Sequence, residues 1–437
     1  MSRLRILVLA PDCNPDSICG PLLSYCQAEA LTQMHDVTLA IRLPAEEAVR
    51  RRQAPFRAVE VVELPWFEHI HAWILRRIFK YDYRSQVWTA LGYPFSIAFE
   101  WGVWRQFRTR IKAGEFDVVL RLLPVTSVLP SPLAFLLRKG PVPFVIGPIN
   151  GGLPWPPGFS QADNQKQWIS GFRDLYRFLP FARSTYRDSA AIIAGSSQTF
   201  AEFAGYRDKL FFLPENGVSQ SWCSGAMRKS TADTKLHLIF VGGLVPFKAC
   251  DLALRAAATL LQKNQAHFTV VGDGPERSRL EQLARSLEIE KAVTFCGSLS
   301  HAETMRSLQA ADVLVFPSVR EFGGAVVFEA LAAGVVPVVA DFGGPGDIVY
   351  REVGYKVSLT NEEDVVLQIE TILAGLANDR ELLERLRRQG SAYARERLTW
   401  DAKAQAITGV LQWAVRRGPK PDLPPPKTLH LKRANST

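Results

Sequence analysis

Two glutamates beside a pair of glycines are the residues of this sequence whose types and spacing most clearly suggest chemistry. Glu321 comes just before Gly323 and Gly324, and Glu329 follows within a helix predicted for residues 325–333. Glycines let a backbone approach a ligand closely, and the start of a helix offers free N–H groups that favour phosphate. An ionised carboxylate only accepts hydrogen bonds, so the glutamates suit sugar or ribose hydroxyls. Their spacing lets both reach one ligand that lies along the helix start.

Two predicted strands position this stretch. The apolar run 311–316 predicts a buried strand that ends shortly before Glu321, and residues 335–340 predict the next strand. Gly334 fits the C-terminal cap of the helix between them. An ordinary strand–helix–strand unit with two surface glutamates is the alternative interpretation of the same pattern.

The second half of the chain begins with the same kind of unit. Residues 236–241 predict a strand, and two glycines and then Lys248 lead into a helix predicted for 250–262. A further strand runs into the glycine turn 272–274. Strand, glycine loop and helix in repeated order predict an α/β fold of doubly wound parallel sheets, with ligands outside the strand ends.

A known family shares this pattern. Glu321, seven residues and Glu329, followed by Ala-Leu-Ala and Gly334, resemble the signature of the family-4 retaining glycosyltransferases, and FPS before it and GGP after it extend the likeness. The resemblance is strong over residues 236–350 and looser in the first half. It implies the GT-B fold, which is two facing Rossmann-like doubly wound domains with a C-terminal crossover helix. It also implies that the second domain binds most of a nucleotide-sugar.

The resemblance also implies roles for individual residues. Lys248 would neutralise the donor diphosphate, and Glu321 would lie near the transferred sugar, so both are predicted catalytic residues. Glu329 would hold ribose hydroxyls. The predicted donor-binding residues, taken together, are Gly20, Gly323, Gly324, Ala325, Glu329, Gly274 and Leu299.

Three positions depart from the family pattern. Gly243 stands where the family has an arginine, and Ala249 replaces a glycine. Leu120 and Arg121 occupy the neighbourhood in which the family commonly places a histidine. Arg121 is therefore predicted to offer a cation on the acceptor or sugar side, with a surface ion pair as the alternative.

A loop rich in glycine and proline follows the strand that ends at Ile146. Such a loop at a strand's end often carries function. Asn150, Gly151 and Gly152 are predicted to face the acceptor or the sugar, and a purely structural loop is the alternative.

Charge and composition indicate the class of partner. A net charge of +9 and a pI of about 9.3 favour an anionic partner, such as a nucleotide or a phospholipid surface. The six cysteines show neither metal-ligand nor disulfide spacing, which favours a reducing cytosol. The N-terminal apolar run is too short for a signal peptide, and no run approaches a membrane-spanning length. We expect a cytoplasmic protein with no metal, no other cofactor and no nucleic-acid partner.

Residues 66–112 combine many aromatic side chains with basic ones. Arg76, Lys80 and Arg84 recur every four residues, so in a helix they share one face. Such a face suits a helix lying on anionic lipid, and a core helix with a solvated charged side is the alternative.

The predicted domains are what the resemblance implies, and the polar composition of residues 219–235 and the proline-rich end of the chain agree with their bounds. They are an acceptor-side domain over 1–215, a nucleotide-sugar domain over 216–398, a crossover helix over 399–415 and a disordered tail over 416–437. The predicted function is retaining transfer of a sugar from a nucleoside diphosphate sugar to a glycan or lipid-linked hydroxyl. The alternatives are a non-catalytic GT-B protein that binds a nucleotide or glycan, and a nucleic-acid-binding first half.

Overall fold

The computed structural model describes residues 2–17, 20–64, 93–153, 155–156, 159, 178–224 and 235–425. Its described residues form two compact units. Unit 1 draws on Met1–Gly152, Gln165–Glu215 and Lys403–Thr437. Unit 2 draws on Leu153–Asn164 and Asn216–Ala402.

Unit 1 is built on a parallel sheet of seven strands in the order β3-β2-β1-β4-β5-β6-β7. The strands are β1 Arg5–Leu9, β2 Asp36–Ile41, β3 Ala58–Val61, β4 Val118–Arg121, β5 Phe144–Ile149, β6 Ala191–Ala194 and β7 Leu210–Phe212. The strands read as nearly continuous apolar runs because both faces of the sheet are covered.

The helices of unit 1 connect these strands. In the helix Tyr93–Lys112, buried Phe99, Val103 and Phe107 recur every four residues and pack against the sheet. The helices with described bounds are Gly20–Thr32, Leu43–Arg51, Tyr93–Lys112, Pro132–Leu137, Ala182–Asp188 and Ser197–Glu202. The helix Trp400–Ala414 begins in unit 2 and belongs to unit 1 from Lys403 onward.

Unit 2 is built on a parallel sheet of six strands in the order β10-β9-β8-β11-β12-β13. The strands are β8 Leu236–Val241, β9 Ala266–Val271, β10 Val293–Gly297, β11 Val313–Phe316, β12 Val336–Ala340 and β13 Tyr355–Val357. This is the Rossmann strand order, in which the direction of winding reverses between the first and fourth strands.

The helices of unit 2 cover both faces of its sheet. They are Cys250–Gln262, Arg277–Ser286, His301–Gln309, Ala325–Ala332, Gly343–Ile348, Glu362–Asn378 and Arg380–Tyr393. Arg387, on the last of these, forms a fully buried ion pair with Asp312 and donates to the carbonyl of Gly334 at 2.8 Å. These bonds fix the end of the helix Ala325–Ala332 against the sheet.

The predicted α/β architecture of doubly wound parallel sheets is confirmed in both units. Sequence reasoning missed several helices, including Leu43–Arg51, Arg277–Ser286 and Arg380–Tyr393. All three place their buried residues at helical spacing, as Leu383, Leu386 and Gly390 do in the last, so the helical period was present in the sequence. The residues Gly343 to Gly346, which follow β12, begin a short helix.

Some predictions concern parts of the chain that the structure does not describe. The basic face of Arg76, Lys80 and Arg84 lies outside the described residues. The prediction of a disordered tail over 416–437 is wrong for its described part, up to residue 425, where Phe212 N donates to Leu423 O at 2.9 Å and Arg417 lies 2.9 Å from Asp117.

Candidate functional site

The reversal of strand order in unit 2 brings two loops together. β8 and β11 are parallel neighbours, with Val313 opposite Leu238, so their carboxyl ends meet at the same edge of the sheet. The loop after β8 carries Lys248 and the loop after β11 carries Glu321. In open α/β sheets the crevice outside this switch point is where ligands bind.

Lys248 and Glu321 form an ion pair at this edge. Lys248 Nζ donates to Glu321 Oε2, and the two side chains keep 18% and 17% of their exposure. The ammonium also lies 5.0 Å from the ring centre of Phe316, the last residue of β11. Because the pair is mostly shielded from water yet still reachable, its charges act strongly on a nearby ligand.

The two loops are held to each other by backbone bonds. Lys248 ends the short 3-10 turn Pro246–Lys248, and the neighbouring Phe247 carbonyl accepts from Val319 N at 2.9 Å and from Ser318 Oγ at 3.2 Å. Ala249 has a φ of 54° and begins the helix Cys250–Gln262. The position of Lys248 is therefore set by β11 as much as by its own loop.

The glycines after Glu321 form the start of the helix Ala325–Ala332. Gly324 has a φ of 62°, and a Cβ there would lie 2.8 Å from Pro345 Cγ. Gly344 N donates to Glu321 O at 3.1 Å, and a Cβ on Gly344 would lie 2.2 Å from Phe322 O. Such close backbone packing requires glycine.

Glu321 also reaches the helix start. Its Oε1 accepts from Gly324 N at 3.3 Å. The carboxylate is thus the anion that the ammonium and the helix N–H group bind, at the place where the sequence predicts a phosphate cradle.

Glu329 lies one turn further along the same helix and is half-buried. Its Oε1 is 2.9 Å from Nε2 of His301, which begins the helix His301–Gln309. The carboxylate raises the pKa of His301 through this hydrogen bond. The His301 ring also meets the ring of Trp222 edge to face, with centres 5.7 Å apart.

The remaining predicted donor residues of unit 2 lie on neighbouring loops. Gly274 follows β9 and packs on the loop after β8, where a Cβ would lie 2.4 Å from Leu244 O. Leu299 follows β10 and is partly buried against the core. Gly323 is half-buried, and Ala325 is exposed at the first helical position.

Gly243, at the position of the family's arginine, is exposed. The nearest atom to a Cβ built there is Asp273 O at 4.0 Å. The loop therefore has room for a larger side chain.

Arg320, which precedes Glu321, packs on an aromatic ring that sequence reasoning missed. Its guanidinium carbon lies 5.1 Å from the ring centre of Trp155. Leu153 and Phe159 belong to the same unit, and Phe159 is buried in its core. This part of the glycine- and proline-rich loop thus supports the Glu321 loop.

In unit 1 the prediction for Arg121 is wrong. Its side chain is fully buried, its Nε lies 3.1 Å from Glu100 Oε1, and it donates to the carbonyl of Leu129 at 2.8 Å. The alternative of a surface ion pair is also wrong, because the pair is in the core. Burial raises the pKa of Glu100, and Arg121 opposes that shift. Arg121 therefore has no surface to offer an acceptor.

Asn150 lies in a buried polar network at the ends of β5 and β6. Its Nδ2 donates to Glu215 Oε2 at 2.7 Å, and its Oδ1 accepts from Ser196 Oγ at 2.8 Å. Gly151 N donates to Thr199 Oγ1 at 2.6 Å. Ser196 caps the following helix by accepting from Thr199 N.

Gly151, Gly152 and Gly20 lie on loops or helix starts of unit 1. A Cβ on Gly151 would lie 2.9 Å from Glu202 Oε2. Gly152 is half-buried. Gly20 begins the helix Gly20–Thr32, and a Cβ there would lie 3.7 Å from Leu123 Cδ2. Their roles toward a ligand stay predictions.

Two other features are absent from the described ranges. Among these residues no cluster of three or more His, Cys, Asp or Glu could hold a metal ion. No helix within the same ranges has the length and apolarity to cross a membrane.

The family comparison covers the unit that carries this site. Residues 226–393 match the family described as Glycosyl transferases group 1. This segment is a glycosyl transferases group 1 domain. Lys248, Glu321 and Glu329 all lie within it.

Two curated relatives share sequence with the chain. It is 28% identical over 278 residues to glycogen synthase of Mycobacterium tuberculosis, covering 61% of this chain and 64% of that protein. It is 36% identical over 198 residues to D-inositol 3-phosphate glycosyltransferase of Geodermatophilus obscurus, covering 42% of this chain and 43% of that protein. In both cases the match spans less than two thirds of the relative.

The solved structure of Anabaena HepE in complex with UDP resembles the fold. The TM-score is 0.59 at 15% identity, and the likeness covers 94% of this chain and 100% of HepE. The predicted GT-B fold class is therefore confirmed at the level of two Rossmann-like parallel-sheet domains.

Proposed function

We propose that this protein is a retaining glycosyltransferase that moves a sugar from a nucleoside diphosphate sugar to a hydroxyl of a glycan or lipid-linked acceptor. The observation that carries the proposal is the Lys248–Glu321 pair at the switch point of unit 2, beside the glycine-led helix start. The names of the two glycosyl-transferring relatives support the reaction class. The HepE complexes with UDP and with UDP-glucose support a nucleotide-sugar donor.

In the proposed reaction, the bond between the sugar C1 and the diphosphate oxygen breaks. A bond between C1 and the acceptor oxygen forms on the same face, which retains the configuration. The acceptor proton passes to the departing diphosphate oxygen. The reaction therefore consumes no other reagent, and its main electrostatic demand is the negative charge that builds up on the diphosphate.

Lys248 and the helix start are placed to meet that demand. Both already bind a carboxylate, that of Glu321. A diphosphate carries more charge than a carboxylate and would take over these donors. Glu321 would then be released to accept from hydroxyls of the transferred sugar.

Binding and turnover are tested separately. Thermal-shift assays with UDP-glucose, UDP-N-acetylglucosamine, GDP-mannose and ADP-glucose should identify a donor that stabilises the protein. Release of nucleoside diphosphate from that donor, alone and with lipid or glycan acceptors, measures turnover. NMR of the product anomer then tests retention. Inversion would refute the retaining mechanism, and the absence of both stabilisation and release with every donor would refute the function.

A non-catalytic protein that binds a nucleotide or glycan is the second candidate. The observation that favours it is Gly243, exposed where the family has a phosphate-binding arginine. This candidate would be supported if a nucleotide-sugar stabilised the protein but no acceptor tested led to release of the nucleoside diphosphate.

We also propose that the protein works at the cytoplasmic face of a membrane, bound through its first unit. In the helix Tyr93–Lys112, exposed Trp101, Arg105, Arg108 and Lys112 recur every three or four residues and so form one stripe. A bulky aromatic ring followed by three cations suits an interface with anionic lipid. A lipid-linked acceptor would be found on the same surface.

A further inference from the structure

The carboxylate of Glu329 is held by a histidine from the adjacent helix. His301 Nε2 lies 2.9 Å from Glu329 Oε1. An ionised carboxylate only accepts, so Nε2 carries the hydrogen and donates. Oε2 of Glu329 has no hydrogen-bond partner in the described part of the chain, and the side chain keeps 18% of its exposure. One oxygen is therefore fixed and the other can receive a hydroxyl.

His301 is itself fixed from two sides. Ser300 caps the helix by accepting from Glu303 N, and Glu303 Oε2 accepts from Ser300 N at 2.9 Å. This reciprocal capping box sets the backbone at His301, the next residue. On the other side, the ring meets Trp222 at an angle of 88° between the planes.

The His301 side chain is not part of the hydrophobic core. Its side chain is 63% exposed, and its one polar partner within the described residues is Glu329. A residue that packs for stability would be covered. A residue that only neutralised surface charge would add little to stability, because exposed ion pairs are weak.

We propose that His301 is a positioning residue that aims the free oxygen of Glu329 at a ribose hydroxyl of the bound nucleotide, with Trp222 holding the imidazole. This rests on the proposed function and on the predicted role of Glu329, which would hold ribose hydroxyls of the donor. In this arrangement the histidine does not need to touch the ligand. It restricts the carboxylate to one conformation, which lowers the ordering cost of binding and sharpens the preference for ribose over deoxyribose.

The experiment compares nucleotides that differ by one hydroxyl. Calorimetry measures the Kd of UDP, 2′-deoxy-UDP and 3′-deoxy-UDP, with GDP, ADP and their deoxy forms in parallel. For the base that binds, the wild type should prefer the ribonucleotide over one deoxy analogue by about tenfold or more, as for a hydrogen bond to a charged group. His301→Ala should remove most of that preference while leaving the Kd of the deoxy analogue nearly unchanged.

Two variants separate positioning from a general effect on structure. His301→Gln keeps an N–H donor for Glu329 and should restore most of the preference. His267→Ala removes a half-exposed histidine near the amino end of β9, far from the carboxyl edge of the sheet, and should leave every Kd unchanged. Thermal unfolding of all variants confirms that they fold, as expected for changes at partly exposed side chains.

The possible outcomes distinguish failure of the His301 inference from failure of the proposed function. A ribose preference that survives in His301→Ala overturns the inference and leaves the proposed function standing. A wild type that binds UDP, GDP or ADP with no preference between ribose and either deoxyribose also overturns the inference alone. Failure of the wild type to bind any nucleoside diphosphate overturns the proposed function and the inference with it.

Discussion

At the scale of single residues, Lys248 and Glu321 are each other's partner. Each side chain is mostly shielded, and the carboxylate is held both by the ammonium and by Gly324 N. The ion pair keeps the Lys248 ammonium at the switch point with its charge balanced by the Glu321 carboxylate. A polyanionic ligand that displaces the carboxylate would find both donors already in place.

The first prediction concerns Lys248. Lys248→Ala should lower turnover of the nucleotide-sugar by on the order of 10²-fold or more, because one preorganised donor to the developing diphosphate charge is lost. Glu321→Ala should also lower turnover while leaving the helix start open to phosphate. The measurement is the rate of nucleoside diphosphate release at saturating donor.

Lys263→Ala, at an exposed position just past the helix Cys250–Gln262, is the matched control and should turn over at the wild-type rate. If Lys248→Ala were as fast as that control, Lys248 would have no part in the chemistry.

The second prediction concerns Gly243. Gly243→Arg should tighten binding of nucleoside diphosphate severalfold, because the loop has room for the side chain and a second cation would lie beside the predicted diphosphate. Gly243→Ala adds bulk without charge and should leave the Kd close to that of the wild type. The Kd values are compared by calorimetry at low and moderate salt, and the gain should shrink as salt increases. Equal Kd values for the arginine and alanine variants would show that this position does not face the phosphates.

At the scale of elements, the helix Trp400–Ala414 is fastened to unit 1 by buried polar groups. Lys403 Nζ donates to Pro214 O at 3.1 Å, and burial lowers the pKa of Lys403 to about 7. His35 accepts from Leu4 N through Nδ1 at 3.2 Å, so Nε2 carries the proton and donates to Thr408 Oγ1 at 2.8 Å. Burial shifts both groups toward their neutral forms, and the charge of Glu215 opposes this shift for Lys403.

The third prediction is a loss of stability in mild acid that depends on His35. Burial lowers the pKa of His35 from 6.5 to about 4. Between these pH values His35 is protonated in the unfolded chain and neutral in the folded chain. The contribution of His35 to stability is therefore complete above about pH 6.5 and falls as the pH drops toward 4. The full loss is at most about 3 kcal/mol. Thermal unfolding of the wild type and of His35→Gln from pH 4.5 to 8 measures it.

The variant should show a smaller fall in melting temperature across that interval, whatever its stability at pH 8. His301→Gln is the control, because the pKa of His301 is raised rather than lowered and its removal should not relieve the loss. Parallel curves for the wild type and His35→Gln would show that other groups cause the acid sensitivity.

The fourth prediction concerns the exposed stripe of the helix Tyr93–Lys112. Arg105→Glu with Arg108→Glu should reduce binding to vesicles of phosphatidylglycerol by about tenfold or more, since each basic residue near such a surface contributes about 1 kcal/mol. Lys263→Glu with Lys291→Glu makes the same charge change at exposed positions of unit 2 and should bind normally. Sedimentation with vesicles of neutral and anionic lipid measures the difference.

Salt-dependent binding to DNA and RNA is measured with the same variants. Tighter binding to nucleic acid than to vesicles, lost in the arginine variant, would contradict the membrane proposal and favour the nucleic-acid alternative.

At the scale of the whole molecule, two separate cores lead us to expect separable stability. Each unit has its own parallel sheet and buried cluster, and the predicted donor residues are concentrated in unit 2. A ligand that binds a folded state stabilises that state by an amount set by its concentration relative to its Kd.

The fifth prediction is therefore a selective thermal shift. A nucleoside diphosphate at about 100 times its Kd should stabilise the unit that binds it by about 2.7 kcal/mol. Calorimetric scans should show the shift in one transition, and Lys248→Ala should reduce it at the same concentration. An equal shift in the wild type and the variant would indicate that the nucleotide binds elsewhere.

Sequence reasoning predicted β8, β9, β11 and β12 because each is a short, nearly continuous apolar run, and it missed β13, which has a lysine at its centre. The helix Ala325–Ala332 was predicted to within one residue, and Gly334 follows it with a φ of 70°, as a C-terminal cap requires. The helix Arg380–Tyr393 was missed although its buried residues recur at helical spacing, so this pattern was available in the sequence. Arg121 was misjudged because a strand-end arginine has the same appearance in sequence whether its partner is solvent, a ligand or a buried glutamate from a distant helix.

The amino-acid sequence by itself determined the α/β class, the glycine-led helix start and the pair Glu321 and Glu329, because these depend on local spacing along one chain segment. Only the tertiary structure decided which side chains these carboxylates meet. Lys248 precedes Glu321 by 73 residues and His301 precedes Glu329 by 28, and no local pattern encodes those pairings. The pairings follow from the order of strands in the sheet, which brings the ends of β8, β10 and β11 to one edge.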